Sequence, residues 1–178
     1  MKKISIPTKK LTLAAMLLSI GFILPSITGH VQLIGNMLLP MHLPVFIAAY
    51  LLGWQYAAVL GAVLPISRAL FFPVPPLYPT AIAMSFELVA YGIFAYVFYC
   101  LFKKKGIFSV YASLIISMLI GRLVWGLVSF LLYSFKGNSF SFSMFLSGAF
   151  INAVPGIIIQ LILIPAIVLA VKKAYKNE

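Results

Sequence analysis

The sequence predicts an all-α membrane protein: a six-transmembrane-helix bundle with both termini in the cytoplasm. Of its 178 residues, 63% are hydrophobic and only 8% are charged, whereas about 25% of residues are charged in an ordinary soluble domain. Apolar segments alternate with short polar or proline-rich ones, and lysines stand just beyond several of the apolar segments. We therefore expect a single integral membrane domain that spans residues 1–178.

Six apolar segments follow one another and are the predicted spans: residues 11–28, 38–53, 56–72, 80–102, 109–135 and 144–171. A helix needs about 20 apolar residues to cross a bilayer. The second and third segments are barely long enough, so they would also fit a re-entrant pair. The PVPPLYP segment between the third and fourth spans, residues 73–79, is predicted to be non-helical, because proline fixes φ and lacks an N–H group. Pro155 and Pro165 predict kinks in the last span.

Lysines indicate the orientation of these spans. The N-terminal arm, residues 103–105 and the C-terminal tail together carry ten lysines, and the predicted outer loops carry only Lys136. Basic residues accumulate on the cytoplasmic side of membrane proteins, which predicts an even number of crossings between these segments. The net charge of +11 thus indicates a multi-pass protein of the cell (plasma) membrane beside anionic lipid, with no nucleic-acid partner. The first span lacks a small-residue cleavage site, so we expect it to be retained.

Polar residues cluster at one predicted depth of the membrane. Counting about 1.5 Å per residue along each span places five of them in the outer half, each on a different span: His42, Arg68, Glu87, Arg122 and Asn152. An ionisable group in hydrocarbon costs roughly 2.5–3.5 kcal/mol on insertion scales, so such groups usually face inward and serve a function. We therefore predict that these residues line a substrate site that opens outward.

The charges of this site favour an anionic ligand. Arg68 and Arg122 face only one carboxylate, that of Glu87, and a guanidinium grips a carboxylate or phosphate through two parallel hydrogen bonds. If Glu87 instead neutralises one arginine and the other reaches the headgroups, a neutral ligand fits as well. Purely structural roles are also open for these residues. His42 would then be an interfacial histidine, Glu87 and Arg122 would form a buried ion pair, and Asn152 would form a hydrogen bond with a neighbouring helix. Larger side chains are available as apolar walls: Tyr78, Trp125, Met41, Met84 and Tyr91.

Several functional classes lack their characteristic residues. The chain has no Walker A motif, so it is not expected to hydrolyse ATP by itself. One cysteine, Cys100, and two histidines offer neither a metal site nor an arrangement of nucleophile and base. We predict that the protein is not an enzyme and has no cofactor and no metal site.

One family shares this pattern. A basic N-terminus precedes six spans, and PMHLPVFIAAYLLGW (residues 40–54) leads to a small-residue span, a proline-rich loop and FELVAYG (residues 86–92). The chain resembles, over nearly its whole length, the S component of an energy-coupling factor (ECF) vitamin transporter. The resemblance implies a membrane subunit that binds a vitamin from outside and works with a T component and two ATPase subunits. The family docks through an A-x-x-x-A motif on its first helix, for which this chain has Ala15 and Ser19.

The sequence-based hypothesis is therefore a substrate-capture subunit for a small water-soluble vitamin or precursor, with an anionic one such as pantothenate as the first guess. Three alternatives remain: an S component for a neutral, pyridoxine-like vitamin, a proton-coupled secondary transporter that uses Glu87 or His42, and a membrane scaffold without a ligand. A capture subunit binds its ligand alone but transports only with partners, whereas a secondary transporter moves substrate alone.

Overall fold

The computed structural model describes residues 7–27, 38–72, 74–102 and 106–176, and every regular element in these ranges is helical. In chain order the helices are α1 (Pro7–Ile27), α2 (His42–Leu51), α3 (Trp54–Phe71), α4 (Ile82–Leu101), α5 (Ile107–Phe135), α6 (Phe142–Leu146) and α7 (Val154–Lys176). A π-helical turn, Leu77–Ala81, precedes α4, and a second one, Ser147–Ile151, follows α6. The predicted all-α fold is confirmed within these ranges.

Four helical stretches are long and apolar enough to cross a membrane: Thr8–Ser26, Leu77–Leu101, Ile107–Phe135 and Phe142–Ala174. Helix α3 has 18 residues and contains both Gln55 and Arg68. Helix α2 has only 10 residues, about 15 Å of length against a hydrocarbon core of about 30 Å. The described residues thus hold four membrane-capable stretches, and the count of six crossings stays a prediction.

Helix α2 is shorter than the predicted segment 38–53 because the backbone breaks on both sides of it. Leu39 has a φ of 50°, and Pro40 follows it, so regular helix begins only at His42. Gly53 has a φ of 110°, in the region that favours glycine, and it separates α2 from α3. The short helix is the centre of the core, and Val45 and Phe46 on it are fully buried.

The proline-rich segment and the last predicted span also differ from the sequence-based expectation. Leu77 and Pro79 belong to the first π-helical turn, although Tyr78 inside it has extended dihedral angles, with φ −116° and ψ 132°. The stretch predicted as one span over residues 144–171 is divided into α6, the second π-helical turn and α7. Pro155 stands in the first turn of α7, where the missing N–H group is tolerated. The predicted loop 29–37 and Lys103–Lys105 lie outside the described residues.

The C-terminal ends of α2, α4 and α7 meet at one end of the bundle. Tyr50 of α2 packs edge-to-face on Tyr99 of α4, with ring centroids 5.5 Å apart. Lys172 of α7 covers the same Tyr99 ring, with its Nζ atom 3.9 Å from the ring centroid. The hydroxyl of Tyr50 also lies 2.9 Å from the Ser113 Oγ atom, which brings the N-terminal part of α5 to this end.

The N-terminal ends of α1 and α3 lie at the same end as these. Helix α3 starts directly after residues 52–53, and Leu11 of α1 and Tyr56 of α3 line one common groove. We call this end of the bundle the lysine end, after the described lysines that it carries: Lys9, Lys10, Lys172 and Lys173. That the lysine end faces the cytoplasm follows from the positive-inside rule and stays a prediction.

Helices α3 and α4 approach each other closely at two glycines. A Cβ atom on Gly61 would lie 2.6 Å from the backbone carbonyl carbon of Leu88, and one on Gly92 would lie 2.7 Å from the Cβ of Ala57. Small residues of this kind allow helix backbones to approach closely within membranes. The contact fixes α4, and with it Glu87, against α3.

Gly61→Leu is expected to destabilise the fold, because the rigid backbone of α4 leaves no room for a side chain. Overpacking typically costs about 1–3 kcal/mol, which is expected to lower the unfolding temperature of the purified protein in detergent. The matched control is Ile66→Leu on the same helix, whose side chain is partly exposed. Equal unfolding temperatures for the two variants would contradict the close α3–α4 contact.

Candidate functional site

A buried ion pair joins α4 to α5 in the middle of the bundle. The Arg122 guanidinium donates to the Glu87 carboxylate, with Nη1 2.9 Å from Oε1. Glu87 is 1% exposed and Arg122 5%. Breaking a buried pair of this kind leaves an uncompensated charge, so each partner depends on the other. The structure thus brings together two of the residues that the sequence placed at one depth.

Tyr91 completes the surroundings of the Glu87 carboxylate. Its hydroxyl donates to Glu87 Oε1 over 2.7 Å, from a position one helical turn further along α4. Its ring lies against Gly121 of α5, where a Cβ atom would approach the ring to 2.2 Å. The ring of Phe46 packs on the other side, with centroids 5.0 Å apart. The carboxylate is therefore held by two donors, of which Tyr91 is itself fixed by packing.

His42, the first residue of α2, has the most unusual surroundings in this cluster. It is 1% exposed, and its ring lies 5.4 Å from the Tyr91 ring, centroid to centroid. Its Nε2 atom is 3.9 Å from Glu87 Oε1, which is too far for a hydrogen bond. Neither ring nitrogen has a hydrogen-bond partner within the described part of the chain. Because buried polar groups are nearly always paired, such an exception calls for an explanation.

Arg68 has different partners from Arg122. Its Nη1 atom donates to the Phe22 carbonyl oxygen over 2.6 Å and to the Ser26 hydroxyl over 3.1 Å, both on α1. Its guanidinium carbon lies 4.7 Å from the centroid of the Phe72 ring. In the described ranges Arg68 forms no ion pair with Glu87, so the two arginines do not share that carboxylate.

The other three predicted site residues contact the C-terminal part of α5 or the segments before and after α6. Tyr78 donates its hydroxyl hydrogen to the Leu132 carbonyl oxygen. Trp125 packs edge-to-face on Phe140, with ring centroids 6.0 Å apart. The Asn152 side chain donates from Nδ2 to the Ser147 hydroxyl over 3.2 Å. None of these contacts joins the cluster of His42, Glu87, Tyr91 and Arg122, which we call the polar cluster.

Sequence reasoning left two polar groups of the interior out of the predicted polar site. Tyr91 was expected only as an apolar wall, although its position four residues after Glu87 puts both on one helix face and could have indicated the hydrogen bond. Gln160 of α7 is 1% exposed, and its Nε2 atom has no partner in the described ranges. The signal for Gln160 is its isolation within a continuous apolar run.

Ala15 and Ser19, the predicted docking residues, are exposed on α1. The Ser19 hydroxyl donates to the carbonyl oxygen of Ala15 over 3.0 Å. Because the Ser19 hydroxyl is hydrogen-bonded within its own helix, Ala15 and Ser19 together present a small and largely apolar surface. In the described ranges no group of three or more histidine, cysteine, aspartate or glutamate residues is placed to hold a metal ion.

Comparison with known protein families gives a match that covers most of the chain. A family model described as the substrate-specific component of ECF transporters matches residues 9–168. This range contains α2 to α6 in full and the whole polar cluster. Comparisons with curated proteins and with solved structures gave no match.

Proposed function

Because the family match over residues 9–168 covers most of the 178 residues, the chain belongs to the substrate-specific components of ECF transporters, and we propose that it captures a neutral, hydroxyl-bearing vitamin at a site built around His42. This family consists of membrane proteins that bind a small molecule for transport and are not enzymes; a T component and ATPase subunits are its general partners. We further propose that two ATPase subunits drive uptake and that the site loads from the outer side.

His42 carries the proposal for the site. Two unpartnered nitrogens on a buried ring cost roughly 1–3 kcal/mol for each unsatisfied group, and a purely structural position gains nothing from that cost. A ligand that supplies one acceptor and one donor would satisfy both nitrogens, since neutral imidazole donates from one and accepts at the other. A hydroxyl group, which both donates and accepts, matches either nitrogen.

The charges of the polar cluster support a neutral ligand. Glu87 and Arg122 neutralise each other at 2.9 Å, so an anion drawn to Arg122 also meets the repulsion of Glu87. Arg68, which supplied the surplus charge for an anionic ligand, is hydrogen-bonded to Phe22 and Ser26 of α1. We therefore favour the pyridoxine-like vitamin over pantothenate, which remains the second candidate.

The test is calorimetry on the purified protein with pyridoxine and pantothenate as probes. Wild type is expected to bind pyridoxine more tightly than pantothenate. His42→Leu is expected to lose roughly 5- to 150-fold in pyridoxine affinity, since two neutral hydrogen bonds contribute roughly 1–3 kcal/mol together. The same variant is expected to unfold at a higher temperature, because it removes an unsatisfied buried group.

The control for this test is Tyr50→Phe, which deletes a buried hydroxyl that is hydrogen-bonded at the lysine end. It is expected to leave the affinity unchanged. Unaltered pyridoxine binding by His42→Leu would remove His42 from the site. Tighter binding of pantothenate than of pyridoxine would favour the anionic ligand.

A further inference from the structure

Three buried side-chain atoms lack a hydrogen-bond partner within the described ranges, and they belong to only two residues. They are the two ring nitrogens of His42 on α2 and the Nε2 atom of Gln160 on α7. Each of these residues is 1% exposed. Because buried polar groups are nearly always paired, two such exceptions within one bundle point to a common cause.

Gln160 lies on the face of α7 that is packed into the core. Gln160, Ile164 and Val168 follow one another at four-residue spacing, and all three are buried. Residues at this spacing lie on one face of a helix. Ile164 and Val168 belong to the same hydrophobic core as Val45 and Phe46 of α2, and α7 packs against α2 and α5. The Gln160 amide is therefore inside the bundle, beside the helix that carries His42.

Gln160 also lies at the depth of the polar cluster. Helices α4 and α7 run in the same direction and meet at their C-terminal ends, where Lys172 covers the Tyr99 ring. Gln160 and Glu87 each stand twelve residues before these contacting residues, which is roughly 18 Å back along each helix. The Glu87 Oε1 atom is 3.9 Å from the His42 Nε2 atom. Gln160 thus shares the level of Glu87 and His42 to within about one helical turn.

We propose that Gln160 is a second ligand-binding residue, which donates from its amide to an acceptor on the vitamin whose hydroxyl group is bound by His42. The inference rests on the proposed function and narrows its ligand class. An amide nitrogen only donates, so the ligand carries an acceptor in addition to that hydroxyl, such as a second hydroxyl, a carbonyl oxygen or a ring nitrogen. A compound with a single hydroxyl as its only polar group would leave the amide unpaired.

The test combines calorimetry with pyridoxine and thermal unfolding of the full-length protein in detergent without added ligand. Gln160→Met approximately keeps the volume of the side chain and removes the donor. It is expected to weaken pyridoxine binding roughly 2- to 12-fold, which corresponds to one neutral hydrogen bond. It is also expected to unfold at a higher temperature than wild type, because an unpartnered buried amide is removed.

The matched control is Leu161→Met, a volume-conserving change at the next position of α7, where the side chain packs partly buried against the core. It is expected to leave the pyridoxine affinity unchanged and not to raise the unfolding temperature. A structural glutamine would give the opposite result in the unfolding measurement, since its loss would break a hydrogen bond of the folded chain.

The outcomes separate this inference from the proposed function. Unchanged affinity in Gln160→Met, together with a loss in His42→Leu, would overturn the inference and leave the proposed function standing. A loss in Gln160→Met alone would support the inference and remove His42 from the site. A lower unfolding temperature of Gln160→Met would show that the amide has a partner in the folded protein, and the inference would fail. Absence of pyridoxine binding by wild type would overturn the proposed ligand and the inference with it.

Discussion

Glu87→Gln is expected to lower the free energy of unfolding by about 3–5 kcal/mol, because it leaves the Arg122 guanidinium buried without a counter-charge. Glutamine keeps the size of the side chain and can still accept hydrogen bonds from Tyr91 and Arg122. The loss in free energy of unfolding therefore measures the effect of removing the negative charge. No other acidic residue in the described ranges can replace Glu87. Thermal or denaturant unfolding of the purified protein in detergent measures the effect.

The double variant Glu87→Gln with Arg122→Met provides the control. Replacing both members of a buried ion pair by groups of similar volume is often neutral or stabilising, so the double variant is expected to recover most of the lost stability. A single variant as stable as wild type would show that Arg122 finds another partner. A double variant less stable than Glu87→Gln alone would contradict the pairing seen in the structure.

Ala15→Leu combined with Ser19→Leu is expected to reduce ATP-driven uptake in cells by at least about tenfold, with ligand affinity unchanged. Small exposed residues on one helix face let a partner helix approach closely, and two leucines would hold the T component away. Both positions are exposed on α1, so the fold is expected to tolerate the change.

Met16→Leu is the control for this pair, since Met16 is exposed on the same helix and already has a large side chain. It is expected to leave uptake intact. Normal uptake by the double variant would exclude docking through these two residues. Accumulation of substrate by the purified protein alone, in liposomes without ATPases, would favour the secondary transporter.

The depth of the polar residues was the most informative feature of the sequence. Helical rise is nearly constant, so counting residues from each end put Glu87 and Arg122 at the same level, and the structure pairs them. Which groups pair depends on the rotation and neighbours of each helix, which a single sequence does not reveal. From the sequence, Arg68 was expected either to bind an anionic ligand or to reach the lipid headgroups. The structure shows hydrogen bonds to Phe22 and Ser26 instead.

The fold was predictable where apolar length alone decides it and less so where single backbone angles do. Helix α5 extends over 29 residues and contains the whole predicted span 109–135. Helix α2 loses four residues at its start because of the positive φ of Leu39 and the proline after it, and a positive φ at leucine has no signature in sequence. That short start is what puts His42 at the first position of α2, next to Glu87.

Mass spectrometry of the small molecules that co-purify with wild type and with His42→Leu shows directly whether the protein binds a neutral vitamin at His42. We expect wild type to retain one neutral, hydroxyl-bearing compound and His42→Leu, folded and at least as stable, to retain much less of it. Equal retention of the same compound by both proteins, or retention of a charged compound by wild type, would contradict a neutral-vitamin site at His42.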